Sequence, residues 1–201
     1  SIILIQEMIV PHAKTQLSYA ALCKEGKVIA DTFAERVRLT PPDFGSSSYV
    51  ESIYLPEIEI HSRKILEKMM YTGIVELEYM FDVRDGYYKL IDINTRAWGW
   101  IAMCAYAGVD FPYLMWKLAI GEEVSSARTR PGIRWIRTLD DLVTSVKLMR
   151  RGDLTIGQYI KSLYGVKHQL YVWDDLRPAI VDIQQLKNWI FSQIKRAHLE
   201  K

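Results

Sequence analysis

The sequence predicts an α+β protein in which an antiparallel sheet is flanked by helices and followed by a helical carboxyl-terminal appendage. Two patterns support this class. Strand-like runs occur at 16–38 and 73–96, each broken by a short turn, and the second alternates apolar and polar residues. Segments with helical spacing of apolar residues lie between and after them. The composition, 49% hydrophobic and 25% charged, excludes disordered, collagen-like and coiled-coil proteins.

The first third of the chain is predicted to be mostly strand. Residues 2–9 form a strand-like apolar run. Runs at 16–23 and 28–38, separated by a short charged turn, predict an antiparallel meander. Residues 40–48 are rich in proline, glycine and serine and predict an exposed loop. An amphipathic helix, opened by a proline, follows over 56–73.

The middle of the chain is predicted as a hairpin and two helices. Strands at 73–81 and 87–94 are joined by a turn that contains Asp85-Gly86, a strong hairpin signal. Helices follow near 98–107 and 112–120, the second closed by a glycine.

Beyond residue 121 the prediction is mainly helical. The segments are a basic loop at 128–137, a helix at 138–152 that starts with a capping-box pattern at Thr138 and Asp141, a short helix at 156–163, a strand and turn at 169–181, and a last helix with apolar residues from Ile183 to Ile194. We therefore divide the chain into a core, residues 1–121, and a helical extension packed on it, residues 122–201.

The hairpin of residues 73–96 carries two kinds of side chain on opposite faces, because successive residues of a strand alternate. The apolar set, predicted to be buried, is Val75, Leu77, Tyr79, Phe81, Ile91 and Ile93. The polar set is Glu76, Glu78, Asp92, Asn94 and Arg96. If the hairpin centres near Asp85, Glu78 lies opposite Asp92, and Asn94 lies opposite Glu76.

Two carboxylates directly across a ladder repel each other unless one is protonated or a cation lies between them. A bound cation is the simpler explanation. The oxygens of Glu78, Asp92 and Asn94 are the hard ligands that Mg²⁺ takes together with waters and phosphates. Arg96 on the same face adds a bidentate donor for phosphate or carboxylate. The alternative is an ordinary solvated face of an edge hairpin.

These residues resemble the signature of a known family. Gly73-Ile-Val-Glu-Leu-Glu-Tyr79, the Asp85-Gly86 turn and Tyr88-Lys-Leu-Ile-Asp-Ile-Asn-Thr-Arg96 are similar to the carboxyl-terminal core of ATP-grasp enzymes, whose pattern is Glu, a hairpin and Glu-x-Asn-x-Arg. Ile3-Leu-Ile-Gln-Glu-Met-Ile9 resembles the family's hinge strand, Glu35-Arg-Val-Arg38 its basic strand, and residues 97–112 the region that follows in carboxylate-amine ligases. The resemblance is clear over residues 1–121 and faint over the remainder of the chain.

The resemblance implies a ligase that activates a carboxylate as an acyl phosphate for attack by an amine, with ATP and Mg²⁺, or Mn²⁺ in its place, as cofactors. The metal ligands would be Glu78, Asp92 and Asn94. Arg96 would steady the transferred phosphoryl group or the substrate carboxylate, and Arg38, with Arg36, would meet phosphate. The adenine site would comprise Gln6, Glu7 and Ile9, through backbone groups, and Met80 and Ile91, packed on the ring.

The chain departs from the family's pattern at two points. Asp92 stands where the family usually has Glu, and its shorter side chain would draw the metal closer to the strand or require a bridging water. Family members also carry, upstream of the hinge strand, a lobe with phosphate-binding lysines and a glycine-rich loop, and this sequence starts after that point. We therefore expect little ligase activity from this chain alone, with the amino-terminal lobe or a partner subunit completing it.

Two other functions stay open beside the ligase. One is a non-catalytic or vestigial binding module with the ATP-grasp fold, since a fold does not guarantee a function. The other is a metal-dependent nuclease, which is disfavoured because Lys89 lies on the face opposite to Asp92.

Composition limits the partners and the compartment. The 26 basic and 24 acidic residues give a net charge of +2, too balanced for a nucleic-acid partner. The most apolar stretch, 97–116, is interrupted by Asp110 and Pro112, so we expect no membrane contact. Two cysteines are too few for a disulfide framework and favour a reducing compartment, the cytoplasm. A homodimer stays open.

Overall fold

The computed structural model describes residues 3, 5, 7–9, 16–43, 45–170, 175–184 and 187. The elements in chain order are β1 (Gln16–Lys24), β2 (Lys27–Thr40), β3 (Ser46–Ile53), α1 (Pro56–Lys68), β4 (Gly73–Asp82), β5 (Tyr87–Asn94), α2 (Ile101–Tyr106), α3 (Phe111–Ala119), β6 (Ala127–Arg128), β7 (Arg134–Ile136), α4 (Thr138–Arg151), α5 (Ile156–Ser162) and β8 (Lys167–His168). Residues 177–184 are also helical. Within these ranges no helix has the length and apolar character needed to cross a membrane.

The strands form a mixed, mostly antiparallel sheet, which confirms the predicted α+β class. The chain divides into two compact units, one of residues 1–37 and 50–134 and the other of residues 38–49 and 135–201. In the first unit, β1 pairs antiparallel with β2 and β4, β4 pairs antiparallel with β5, and β6 joins β2 in parallel. In the second, β7 and β8 pair in parallel. The predicted division at residue 121 stays a prediction.

The core of the first unit lies between the sheet and α1. Its buried members include Leu17, Tyr19, Phe33, Val75, Leu77 and Tyr79 from the sheet and Ile58 and Leu66 from α1. The sequence favours α1 because Pro56 occupies its first turn, and acidic residues at its start and Lys68 at its end complement the helix dipole. Burial of each large apolar side chain stabilises the unit by about 1.5–3 kcal/mol. This core fixes β4, the strand that carries Glu78.

The β4–β5 hairpin has the register that the sequence predicts. Glu78 pairs with Asp92, and Glu76 pairs with Asn94. Beyond this point the ladder shifts, because Tyr79 pairs with Leu90 and Ile91 is therefore an extra residue in β5.

This bulge interrupts the alternation of β5. Tyr88 and Ile93 pack against the core, whereas Ile91 is 36% exposed. The prediction that Ile91 belongs to a buried face is wrong, because the residue inserted at Ile91 breaks the alternation between Tyr88 and Ile93, which both face the core.

Two predictions for the first half are wrong. The described residues between 3 and 9 are not in a strand, and the side chains of Ile3 and Ile5 are 81% and 90% exposed, so these two side chains are not part of the core. The predicted loop at 40–48 gives way at Ser46 to β3, which the sequence reading missed. The serines of β3 are tolerated in a buried strand because their hydroxyls are bonded, as when Ser52 Oγ donates to Arg130 O at 2.8 Å.

The second half contains the predicted helices with different boundaries and caps. The basic loop at 128–137 includes the short strands β6 and β7. Helix α4 starts without a side-chain cap, and the Thr138 hydroxyl bonds the His168 ring instead, whereas the complete capping box belongs to Thr155 at α5. The strand and turn predicted up to residue 181 are replaced by helix from residue 177. Residues 171–174 and most of the last helix lie outside the described residues.

Candidate functional site

Glu78 is at the centre of the polar face that β4 and β5 share. Its Oε1 accepts a hydrogen bond of 2.9 Å from Asn94 Nδ2, and its Oε2 forms an ion pair with the guanidinium of Arg36 on β2. The Glu78 side chain is 23% exposed and that of Arg36 is 12% exposed. The sheet thus brings a predicted metal ligand and a predicted phosphate-binding arginine into direct contact.

Asp92 and Arg96 lie at the exposed side of this face. Asp92 faces Glu78 across the ladder, and its Oδ1 accepts a hydrogen bond of 2.9 Å from the backbone N–H of Ile93. Among the described residues, no basic side chain forms an ion pair with Asp92. Arg96 Nη2 donates to Asn94 Oδ1 at 3.0 Å. Hydrogen bonds therefore connect Arg96, Asn94 and Glu78 in a row.

Glu76 is a buried acid beside this row, and the sequence reading gave it no role. It is 4% exposed, and its Oε1 accepts hydrogen bonds from Ser18 Oγ at 2.8 Å and from Trp100 Nε1 at 3.1 Å. Burial, and then the charge of Glu78, raises the pKa of Glu76. The alternation of β4 places Glu76 on the same face as Glu78, but the sequence gives no sign of its contact with Trp100, which is 24 residues away.

Arg38, predicted to meet phosphate, lies in the second unit. Its Nε and Nη2 donate to the two carboxylate oxygens of Asp141, each at 2.8 Å, and its guanidinium stacks on the Tyr49 ring at 4.1 Å from the centroid. Ser48 Oγ also donates to Asp141, at 3.0 Å. Arg38 and Asp141 are 6% and 0% exposed. The structure therefore places Arg38 in a buried ion pair that the sequence reading did not foresee.

The predicted adenine residues are placed as follows. Gln6 lies outside the described residues, and Glu7 and Ile9 are described without regular secondary structure. Met80, on the same face of β4 as Glu78, is 8% exposed. Ile91 is at the bulge of β5.

Arg84, in the hairpin turn, was not among the predicted site residues. It forms ion pairs with both Glu7 and Asp82. Arg84 lies beside the Asp85-Gly86 turn, and nothing in the sequence indicates that its side chain contacts Glu7.

Besides the buried Glu76, the polar face carries the carboxylates of Glu78 and Asp92 and the amide oxygen of Asn94, which could bind a cation. Histidine, cysteine and carboxylate side chains form no group of three or more that could hold a metal within the part of the chain that the structure describes. Among the described residues of this face, the oxygens of Glu78, Asp92 and the Asn94 amide are the groups that could contribute to a cation site. Carboxylate and amide oxygens suit Mg²⁺, which commonly keeps waters and phosphate oxygens in its coordination shell.

A comparison with protein families assigns this arrangement to a family. Residues 9–139, well over half of the chain, match the family model described as "ATP-grasp in the biosynthetic pathway with Ter operon". The chain belongs to this ATP-grasp family. The matched region contains β1 to β7 and all the residues of the polar face. A comparison of the ATP-grasp chain with curated proteins finds no match.

Solved structures resemble the ATP-grasp chain in part. Pyruvate carboxylase of Rhizobium etli, in its T882A form with acetyl coenzyme A, is 17% identical with a TM-score of 0.50, and the match covers 60% of this chain and 13% of that one. The biotin carboxylase domain of Hydrogenobacter thermophilus 2-oxoglutarate carboxylase, in complex with MgADP, ADP and bicarbonate, is 16% identical over 60% of this chain and 28% of that one, with a TM-score of 0.48. The L-amino acid ligase of Bacillus licheniformis is 14% identical over 57% and 30%, with a TM-score of 0.42.

The likeness to the pyruvate carboxylase shows a shared fold. The ATP-grasp chain spans 13% of that enzyme's chain.

Proposed function

We propose that this ATP-grasp chain is the ATP- and Mg²⁺-binding part of a ligase that activates a carboxylate as an acyl phosphate for attack by an amine. The observation that carries the proposal is the pairing of Glu78 with Asp92 across the hairpin, with Asn94 beside them. Arg36 and Arg96 adjoin the same group. Phosphoryl transfer depends mainly on positioning and on neutralising charge, and these residues supply both kinds of contact.

The donor set fits a divalent cation. Glu78 and Asp92 face each other, and only Glu78 has an ion-pair partner among the described residues. A cation between the two carboxylates removes the repulsion that this register creates. We assign Glu78, Asp92 and Asn94 as the residues that hold Mg²⁺, or Mn²⁺ in its place. Held by these residues, Mg²⁺ would neutralise charge on the phosphate oxygens of ATP and polarise the transferred phosphoryl group.

The two arginines take the charge that remains on the phosphates. Arg96 is exposed, and its guanidinium is oriented by Asn94 and by the carbonyl of Ala97, 3.1 Å from its Nη1. Arg36 is held by Glu78 in the adjoining strand. Each guanidinium carries a fork of N–H donors that matches phosphate geometry. The phosphate role predicted for Arg38 stays a prediction.

The reaction that we propose has two steps. A carboxylate oxygen of the substrate attacks the γ-phosphorus of ATP, and ADP leaves with the electron pair of the broken P–O bond. The amine then attacks the carbonyl carbon of the acyl phosphate, inorganic phosphate leaves, and the amine loses a proton. No protein nucleophile is needed, in agreement with the burial of both cysteines.

The nucleotide base, in this proposal, lies beyond Glu78 along β4. Met80 lies two residues from Glu78 on the same face and supplies apolar surface. Glu7 and Ile9, with Gln6, supply backbone groups to the adenine edge, and Ile91 supplies exposed apolar surface from the bulge.

Metal and nucleotide binding test the proposal. Titration of the chain with Mn²⁺, followed by electron paramagnetic resonance, reports the metal site without requiring the substrates. We expect Glu78→Gln and Asp92→Asn each to weaken Mn²⁺ binding by at least about tenfold, since even residues outside the first coordination shell contribute this much. Glu123→Gln is the matched control, because Glu123 is exposed and lies in the segment after α3.

Calorimetric titration with ATP, with and without Mg²⁺, completes the test. ATP binding that requires Mg²⁺ and is lost in Glu78→Gln supports the ligase proposal. Mn²⁺ affinity that is equal in Glu78→Gln, Asp92→Asn and Glu123→Gln contradicts it and favours a non-catalytic module with this fold.

A further inference from the structure

Arg84 connects the turn of the β4–β5 hairpin to the segment around Glu7. Its Nε and Nη2 donate to the two carboxylate oxygens of Asp82, at 2.8 and 2.7 Å, and its backbone N–H donates to Asp82 Oδ1 at 3.0 Å. Its remaining terminal nitrogen, Nη1, donates to Oε1 of Glu7. One guanidinium therefore bridges two carboxylates that are 75 residues apart in sequence.

Asp82 keeps this guanidinium in place. Its side chain is 4% exposed, and hydrogen bonds from Arg84 lower its pKa to about 2, so it is ionised at neutral pH. A bidentate contact fixes both the position and the plane of a guanidinium, which a single contact does not. Glu7, in contrast, is 75% exposed and belongs to a segment without regular secondary structure. Of the two carboxylates, Asp82 is the anchor and Glu7 is the group that is held.

Asp82 lies on the same face of β4 as Glu78. The two are four residues apart with Met80 between them, and β4 has no bulge here, because the extra residue is in β5. At the rise of a strand this separation is about 13 Å. One face of one strand thus carries Glu78 at one end, an apolar side chain in the middle and the Arg84 anchor at the other end. Its length is on the scale of an extended nucleoside triphosphate.

We infer that Arg84 is a positioning residue for the nucleotide base, which holds residues 7–9 beside Met80 through its bridge from Asp82 to Glu7. The inference rests on the proposed function, in which residues 7–9 line the adenine and Glu78 lies at the phosphate end. It adds that the hairpin positions both ends of the nucleotide. Arg84 acts through Glu7 and does not itself contact the reacting phosphates.

The test separates the base end from the phosphate end. The chain is titrated by calorimetry with Mg·ATP and with Mg·tripolyphosphate, which carries the phosphates without the nucleoside. We expect Arg84→Gln and Glu7→Ala to weaken Mg·ATP binding by at least about fivefold and to leave Mg·tripolyphosphate binding unchanged. Glu7→Gln, which keeps an oxygen acceptor but loses the charge, should fall between Glu7→Ala and the unsubstituted chain.

Two controls sharpen the test. Lys89→Gln removes an exposed ion pair with Asp85 in the same turn, and it should change neither titration. The double variant with Glu7→Ala and Arg84→Gln should bind Mg·ATP no more weakly than Arg84→Gln alone, because both changes break one bridge. Circular dichroism confirms that each variant is folded.

Each contrary result has a distinct meaning. Equal weakening of Mg·ATP and Mg·tripolyphosphate in Arg84→Gln overturns the inference, because Arg84 would then act on the hairpin as a whole. Unchanged Mg·ATP binding in Arg84→Gln and Glu7→Ala also overturns it and leaves the proposed function standing. If the unsubstituted chain binds neither ligand, the proposed function fails and the inference fails with it.

Discussion

Replacing Asp141 by asparagine should destabilise the protein by about 3–5 kcal/mol, because it leaves the buried guanidinium of Arg38 without a counter-charge. Asp141 accepts hydrogen bonds from Arg38 Nε and Nη2, each at 2.8 Å, and from Ser48 Oγ at 3.0 Å. Neither member of the pair can be solvated, since Arg38 is 6% and Asp141 is 0% exposed. Asparagine removes the negative charge of Asp141, and its amide NH₂ group replaces one carboxylate oxygen, so that an N–H donor faces another donor.

Urea denaturation followed by circular dichroism measures this effect. Thermal denaturation gives a second measure. For a chain of this size, a loss of 1 kcal/mol in the free energy of unfolding lowers the melting temperature by about 2–4 °C, so Asp141→Asn should melt roughly 6–20 °C lower. Replacing both partners by apolar residues, Arg38→Met with Asp141→Leu, should recover most of the stability. Removing a complete buried pair avoids the unpaired charge and is often close to neutral.

Asp140→Asn is the matched control for Asp141→Asn. Asp140 is the preceding residue and forms an exposed ion pair with Arg137, in which the two side chains are 40% and 41% exposed. Pairs of this kind contribute at most about 1 kcal/mol. If Asp141→Asn lowers the free energy of unfolding no more than Asp140→Asn does, then Asp141 does not hold Arg38 in a buried ion pair. The predicted contact of Arg38 with phosphate would then gain support.

Three further predictions follow from burial and charge. Leu66→Ala should lower the free energy of unfolding, measured by urea denaturation, by about 2–5 kcal/mol, because Leu66 is 0% exposed in the core beneath the sheet. Burial raises the pKa of the Cys23 and Cys104 thiols to about 12, so neither should react with a thiol reagent at pH 8 until the protein is unfolded. Hydrogen bonds from Arg84 lower the pKa of Asp82 from an ordinary 3.8 to about 2. The ionised carboxylate therefore contributes fully to stability above about pH 4, and this contribution is lost as the pH falls toward 2. In Asp82→Asn, the urea concentration at the midpoint of unfolding should depend less on pH over that range.

The hairpin could be predicted from the sequence because local rules determine it. Asp85-Gly86 fixes the turn, and alternation then places Glu78 opposite Asp92, as the structure confirms. The extra residue at Ile91 could not be found in this way. A bulge changes which side chains face the core without changing the composition of the strand. Leu90 and Ile91 are both apolar and adjacent, so the sequence allows either of them to face the core.

Other features depend on contacts between distant parts of the chain. The ion pair of Arg38 and Asp141 joins residues 103 apart, and that of Arg84 and Glu7 joins residues 77 apart. A sequence shows the residue types of such pairs but not their proximity. The same applies to β3, whose serines are typical of a loop until each hydroxyl has a partner, as Ser48 has in Asp141.

In the proposed function, the charges around Glu78 would favour binding of a metal and a phosphate together. Glu78 and Asp92 carry two negative charges, and Arg36 and Arg96 carry two positive charges, so the charges of these four groups balance. A divalent cation alone would be repelled by the two guanidiniums, and a triphosphate alone would be repelled by the two carboxylates. When both arrive as one complex, the cation meets the carboxylates and the phosphate oxygens meet the arginines, and each repulsion becomes an attraction. In the proposed site, this balance of charge would favour the metal–nucleotide complex over either component.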